Sequence, residues 1–146
     1  MKFAVIGTGI MGAGIAGGFA AEGAQVVLLG RSAPKRGQAK AEALELAAAL
    51  HGGAIAPGRI ECAPIDEWDG WNGVDLVIET VSENLALKQG LFRMLDACVP
   101  AGVPIGSNSS GFPISKIAAG LKTRSRMLGT HYFMPAHIVP LVEVVL

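Results

Sequence analysis

The chain has 146 residues, a length that suits one domain and can bury a substantial core. Its 12 Lys and Arg balance 12 Asp and Glu, so no charge excess argues for nucleic acid or an acidic membrane surface as partner. Apolar residues make up 51% and charged residues 16%, which is high for a free monomer and predicts apolar surface that meets another domain or subunit.

Residues 2–7 read as a strand and 11–22 as a small-residue helix. The turn between them is Gly7-Thr8-Gly9-Ile10-Met11-Gly12. Strand, glycine turn and helix in that order form the dinucleotide-binding pattern. Gly7 allows the tight turn, Gly9 lets backbone approach a pyrophosphate, and Gly12 lets the helix pack closely. The N–H groups of the helix N-terminus, at Ile10 and Met11, then point at the phosphates.

Ala24 to Leu29 is the second strand, and Ser32, a plausible N-cap, precedes an Ala-rich helix with Pro34 in its first turn, running to about Leu50. Residues 51–58 read as a loop and 59–63 as a short strand. Trp68 and Trp71 lie in a polar connection and are read as caps on the core. Val74 to Glu79 is a buried strand. Asn84 to Cys98 is a helix whose Leu87, Leu91, Met94, Leu95 and Cys98 share a face. Val103 to Gly106 is a strand, Pro113 to Leu121 a short helix, Met127 to His131 a strand, and Leu141 to Val145 a last strand. Apolar strands alternating with helices predict an α/β fold: a doubly wound, mostly parallel sheet of Rossmann type.

The two cysteines, Cys62 and Cys98, have neither metal nor disulfide spacing, so no metal site is expected and a reducing compartment is the simpler reading. Lys2 and the apolar residues after it resemble a signal peptide, but Gly7 and Gly9 break the run. No stretch approaches the roughly 20 apolar residues of a membrane helix. A cytoplasmic protein with neither nucleic acid nor membrane as partner is expected.

In an open parallel sheet, ligands sit outside the carboxyl ends of the strands. Those ends carry Gly30-Arg31-Ser32, Thr80 to Asn84, Ser107 to Gly111 and His131 to Pro135, a concentration of polar residues on one edge. An NAD site usually places Asp or Glu after the second strand. Here Gly30 stands there, followed by Arg31 and Ser32, with Lys35 and Arg36 nearby. The missing acid and the cations favour NADP(H) over NAD; otherwise Arg31 and Lys35 are solvated surface charges.

Ser110, His131 and Glu143 form the candidate catalytic group. Imidazole titrates near neutrality, so His131 can take a hydroxyl proton as hydride leaves carbon. Glu143 is the lone carboxylate among Leu141, Val142, Val144 and Val145, and a carboxylate in an apolar strand needs a partner. His131 would satisfy it; a solvent-facing edge is the alternative. His137 has no comparable context and reads as a surface histidine.

These residues resemble a known family. Val5 to Ala16, Asp75-Leu76-Val77-Ile78-Glu79 through Glu83-Asn84-Leu85 with Lys88, Ser107-Asn108-Ser109-Ser110, Gly129-Thr130-His131-Tyr132-Phe133 and Pro140 to Val144 look like the N-terminal NAD(P)-binding domain of the 3-hydroxyacyl-CoA dehydrogenases. The resemblance implies an enzyme of fatty acid metabolism that moves hydride between NAD(P) and a 3-hydroxyacyl substrate. It implies that Ser110 hydrogen-bonds the substrate oxygen, His131 is the base, and Glu143 pairs with it. Glu83 and Lys88 would lie near the nicotinamide end, with Asn108 also at the cofactor.

The sequence departs from the family pattern at Gly30, at Met134 (where the family carries Asn), and in a shorter segment between Arg31 and Val74, where the family has a helical hairpin that helps hold CoA. The chain also stops at Leu146, before the family's helical C-terminal domain, which supplies a further catalytic Asn, the substrate wall and the dimer interface. A homodimer is expected when full length. The isolated 146 residues are expected to bind dinucleotide with little turnover. A dehydrogenase of small free 3-hydroxy acids is the near alternative, favoured by the short segment and Met134. A non-catalytic dinucleotide-binding module is the distant one.

Overall fold

The computed structural model describes residues 1–146. Seven strands form one sheet: β1 (Lys2–Ile6), β2 (Gln25–Gly30), β3 (Ile60–Pro64), β4 (Leu76–Glu79), β5 (Ile105–Ser107), β6 (Met127–Tyr132) and β7 (Val142–Val145). The helices are α1 (Ile10–Ala21), α2 (Ala33–His51), α3 (Leu85–Cys98) and the single turn α4 (Ile114–Ile117). The strand order is β3-β2-β1-β4-β5-β6-β7. Pairing is parallel from β3 through β6, and β7 runs antiparallel on the edge. The chain moves outward from β1 to β3, then returns to lay β4 on the other side of β1. That reversal opens a crevice at the carboxyl ends of β1 and β4.

Successive strand residues point to opposite faces, so a strand covered on both sides must be apolar throughout. One core joins Ala4, Ile6, Val27, Leu29, Val77 and Ile105 to Phe92 and Leu95 of α3 and Ile117 of α4. The other joins Val5, Val26, Leu28 and Ile78 to α1 and α2. Small residues let α1 sit between neighbours on several sides. A Cβ on Gly17 would stand 2.9 Å from the Ala43 carbonyl of α2, and one on Gly14 would stand 3.3 Å from the Ala136 Cβ. Trp71 is buried and packs edge-on against Trp68 at 4.5 Å, the capping role expected for the pair. No helix is long and apolar enough to cross a membrane.

The structure corrects four local expectations. In α3 the buried residues are Lys88, Phe92 and Leu95, while Leu87 and Cys98 are exposed. The helix is rotated so that Lys88 reaches an interior carboxylate, a demand that apolar periodicity does not register. The helix expected over 113–121 is one turn, capped by Ala118, and Gly120 just beyond it has a φ of +78°, in the left-handed region. Ser32 is the N-cap of α2 by position, but its side chain makes no capping bond. Finally, every residue of β7 is exposed, because this edge strand has one neighbour and no helix above it.

Candidate active site

The glycine turn after β1 is held by backbone. Gly7 has φ +122°, and its N–H donates to the Leu29 carbonyl at 2.9 Å. Thr80 Oγ donates to the Ile6 carbonyl at 3.0 Å and closes over Gly7, leaving no room for a side chain. Gly12 meets the Gly7 carbonyl oxygen, so helix and turn touch backbone to backbone. Gly9 differs. It is the N-cap of α1, and no protein atom lies within 4 Å of where its Cβ would stand. Ile10 is exposed and Met11 half-buried, and the N–H groups of this first turn have no partner within the helix. Open space in front of free N–H groups suits a pyrophosphate, so these residues fit a dinucleotide.

At the end of β2, a Cβ on Gly30 would stand 2.7 Å from the Thr8 methyl. A side chain at this position would thus require Thr8 of the glycine turn to move. The Arg36 guanidinium donates to the carbonyls of Gly30 at 2.8 Å and Arg31 at 3.0 Å, fixing the turn into α2. Arg31, Ser32 and Lys35 are exposed around that clamp.

Strand β4 ends in Glu79, which is fully buried. Its carboxylate accepts from Lys88 Nζ at 2.8 and 3.0 Å, Ser107 Oγ at 2.6 Å and the Val81 N–H at 2.5 Å. Lys88, itself 1% exposed, also donates to the Val81 carbonyl at 3.3 Å and lies 3.5 Å from Glu83 Oε2. Glu83 accepts from Ser109 Oγ and, at 2.8 Å, from the Gly111 N–H. Burial pushes its carboxyl up, but these two bonds and the Lys88 ammonium together hold it below the usual carboxylate range.

Strand β6 brings His131 opposite Glu143 of β7 in register, with Nδ1 3.4 Å from Oε2. The expectation of a buried Glu143 is corrected: its side chain is 62% exposed, against 30% for His131. An edge strand leaves the carboxylate in water, so this contact is not forced by desolvation. The Phe133 ring lies 4.7 Å from the imidazole. Asn108 ties the end of β6 to β4: its N–H donates to the Glu79 carbonyl, and its Oδ1 accepts from the Tyr132 N–H, both at 2.8 Å. Ser110 is exposed on the same loop after β5. His137 is half-buried beside Gly14 of α1 and not on open surface as expected. A separate groove of about 520 Å³, lined by Ala20, Leu50, His51 and Arg59, lies at the far ends of α1 and α2, away from the glycine turn.

The reversal of strand order, with Gly9 and the free helix N-terminus beside it, defines a dinucleotide-binding domain of the dehydrogenase type. A family model described as 3-hydroxyacyl-CoA dehydrogenase, NAD binding domain, matches residues 2–146, and the chain belongs to this family. Its cofactor is therefore a nicotinamide dinucleotide. The chain is 32% identical over 161 residues to the glyoxysomal fatty acid beta-oxidation multifunctional protein MFP-a of Brassica napus, covering 99% of this chain and 21% of that protein. It is 34% identical over 148 residues to 5-formyl-3-hydroxy-2-methylpyridine 4-carboxylate 5-dehydrogenase of Mesorhizobium japonicum, covering 99% and 48%. The structure of 3-hydroxybutyryl-CoA dehydrogenase from Escherichia coli superposes with a TM-score of 0.86 at 35% identity, covering 99% and 32%. The chain thus spans between a fifth and a half of these relatives' lengths.

Sequence reasoning placed Thr80 and Ser107 on the crevice edge and Glu79 at the end of a buried strand, but gave none of the three a role in the site. The available signal was a carboxylate ending the apolar run Leu76-Val77-Ile78, with a lysine nine residues on.

Proposed function

We propose that this chain is the cofactor domain of an enzyme that transfers hydride between a nicotinamide dinucleotide, NADP(H) by preference, and a 3-hydroxyacyl substrate. The observation that carries the reading is His131 held 3.4 Å from Glu143 at a strand end on the crevice side of the sheet. The glycine turn and the α1 N-terminus would hold the pyrophosphate, with Arg31 and Ser32 at the adenosine end and Glu83 and Asn108 toward the other. Lys88, also expected at the cofactor, is 1% exposed and turned inward to Glu79, so it would act only through Glu79 and Glu83. Bound there, the nicotinamide supplies the hydride acceptor or donor. Glu143 takes the Nδ1–H of His131, which leaves Nε2 to accept the substrate hydroxyl proton. Ser110 donates to the substrate oxygen. Arg31 and the absent acid at Gly30 support NADP(H). The reading carries with it a homodimeric whole protein in the cytoplasm.

A second reading, oxidation of small free 3-hydroxy acids, is favoured by one observation. The chain goes from α2 to β3 through residues 52–59, which form only a single helical turn at Pro57–Arg59, with no helical hairpin. The beta-oxidation relative aligns over 161 positions against 146 residues here, whereas the pyridine-carboxylate enzyme aligns over 148. Assaying the whole protein with 3-hydroxybutyryl-CoA and with free 3-hydroxybutyrate decides between them. Turnover of the thioester supports the first reading, turnover of the free acid alone supports the second, and dinucleotide binding without turnover of either overturns both.

A further inference from the structure

An apolar strand that ends in a fully buried carboxylate calls for an explanation beyond stability. Taking a carboxylate and an ammonium out of water costs several kcal/mol per ion, and such a pair often does no better than apolar residues of the same size. What the Glu79–Lys88 pair does is join separate elements. Glu79 accepts from Ser107 on β5, from the Val81 N–H in the loop after β4, and from Lys88 on α3. Lys88 has no exposed surface with which to meet a ligand; beyond Glu79 it reaches the Val81 carbonyl and Glu83. Glu83 then takes Ser109 and Gly111 in the loop after β5. The main-chain carbonyl of Glu79 receives the Asn108 N–H, and Asn108 receives the N–H of Tyr132, next to His131. One buried side chain therefore stands at the root of both loops that border the crevice.

Building on the dehydrogenase reading above, we infer that Glu79 is a positioning residue for the reaction. Held against Lys88 and Ser107, it fixes the Glu83 carboxylate and the loops 80–84 and 108–111, against which cofactor and substrate lie. It acts through these partners and touches neither ligand.

The test uses the whole enzyme, with melting temperature, affinity for NADH and NADPH, kcat and KM measured on each variant. Glu79→Gln leaves Lys88 buried without its main partner and lowers melting sharply. The double variant Glu79→Gln/Lys88→Met removes both charges and recovers most of the melting temperature. Its kcat/KM nevertheless stays down about tenfold or more, because Glu83 loses its link through Lys88 and the Val81 N–H loses its carboxylate acceptor. Ser107→Ala keeps the ion pair but frees one side of Glu79, and lowers kcat/KM about threefold with melting nearly unchanged. If turnover recovers together with melting in the double variant, the pair is a structural one and the inference is overturned. Should the double variant not fold, Ser107→Ala decides, and wild-type kinetics there overturn the inference. A wild-type enzyme that binds neither dinucleotide would overturn the dehydrogenase reading itself, whereas a binding wild type with unaffected variants overturns only the role of Glu79.

Discussion

His131 and Glu143 face each other across β6 and β7, the sheet's one antiparallel pair, with Nδ1 3.4 Å from Oε2. Antiparallel register sets residues directly opposite, so the strand pairing itself aims the carboxylate at the ring. In the whole enzyme, His131→Ala is expected to lower kcat at least about a hundredfold, the common size of a general-base loss, with cofactor affinity nearly intact. Glu143→Gln acts in the same direction and more mildly, since its side chain is 62% exposed and water competes for the imidazole N–H. Steady-state kinetics with cofactor titration measure both, and near-normal turnover of His131→Ala would remove it as the base.

Arg31 and Arg36 have separable roles at the end of β2. Arg31 is exposed, whereas Arg36 spends a guanidinium nitrogen on two main-chain carbonyls. NADPH is expected to bind more tightly than NADH. Arg31→Ala should weaken NADPH by about 1–3 kcal/mol, the loss of a charge-assisted hydrogen bond, and barely affect NADH. Arg36→Ala should weaken both, because the turn itself loosens. Fluorescence titration with each cofactor checks the pattern, and equal or stronger NADH affinity in the wild type contradicts it.

Gly9 and Gly12, three residues apart, should respond in opposite ways to the same added methyl. A Cβ at Gly9 meets no protein atom within 4 Å, so Gly9→Ala folds with stability changed by about 1 kcal/mol or less. It nevertheless fills space in front of the helix N-terminus, and dinucleotide affinity falls. At Gly12 the methyl would meet the Gly7 carbonyl oxygen, and backbone cannot swing aside. Gly12→Ala should therefore cost about 1–3 kcal/mol in folding, the usual size of an overpacking penalty, and binding as well. Thermal melts alongside NADH titration separate the two positions.

Acid should destabilise the fold through two carboxylates. The Thr123 hydroxyl is the main cause holding Asp96 low; burial opposes it, and the Lys122 N–H and Arg126 assist. Glu83 is also lowered, as described above. A folded-state value below the unfolded one means that the unfolded chain takes up protons first as pH falls. The contribution is therefore complete above the ordinary values of 4.5 for Glu and 3.8 for Asp, and it is lost on descending below them. Urea unfolding measured from about pH 7 to pH 3 should show this decline. Thr123→Val should flatten the Asp96 part of it, and an unchanged acid limb would show that Asp96 is not responsible.

The apolar runs of β1, β2 and β4 and the Gly7-Gly9-Gly12 spacing were enough to establish the doubly wound sheet and its crevice, because a strand buried on both faces and a turn needing φ +122° leave local marks in the residues themselves. The opposition of His131 and Glu143 was also legible, since His131 ends one strand-like run and Glu143 is the one carboxylate in another. Tertiary structure decided the rest. Whether Glu143 is wet depends on β7 being the outermost strand, and sequence does not state strand order. That the Thr8 methyl crowds Gly30, and that Lys88 turns inward to Glu79 while Leu87 faces out, are contacts between different segments of the chain. Such contacts are fixed by how the helices and turns dock on the sheet, and the hydrophobic periodicity of any one segment carries no trace of them.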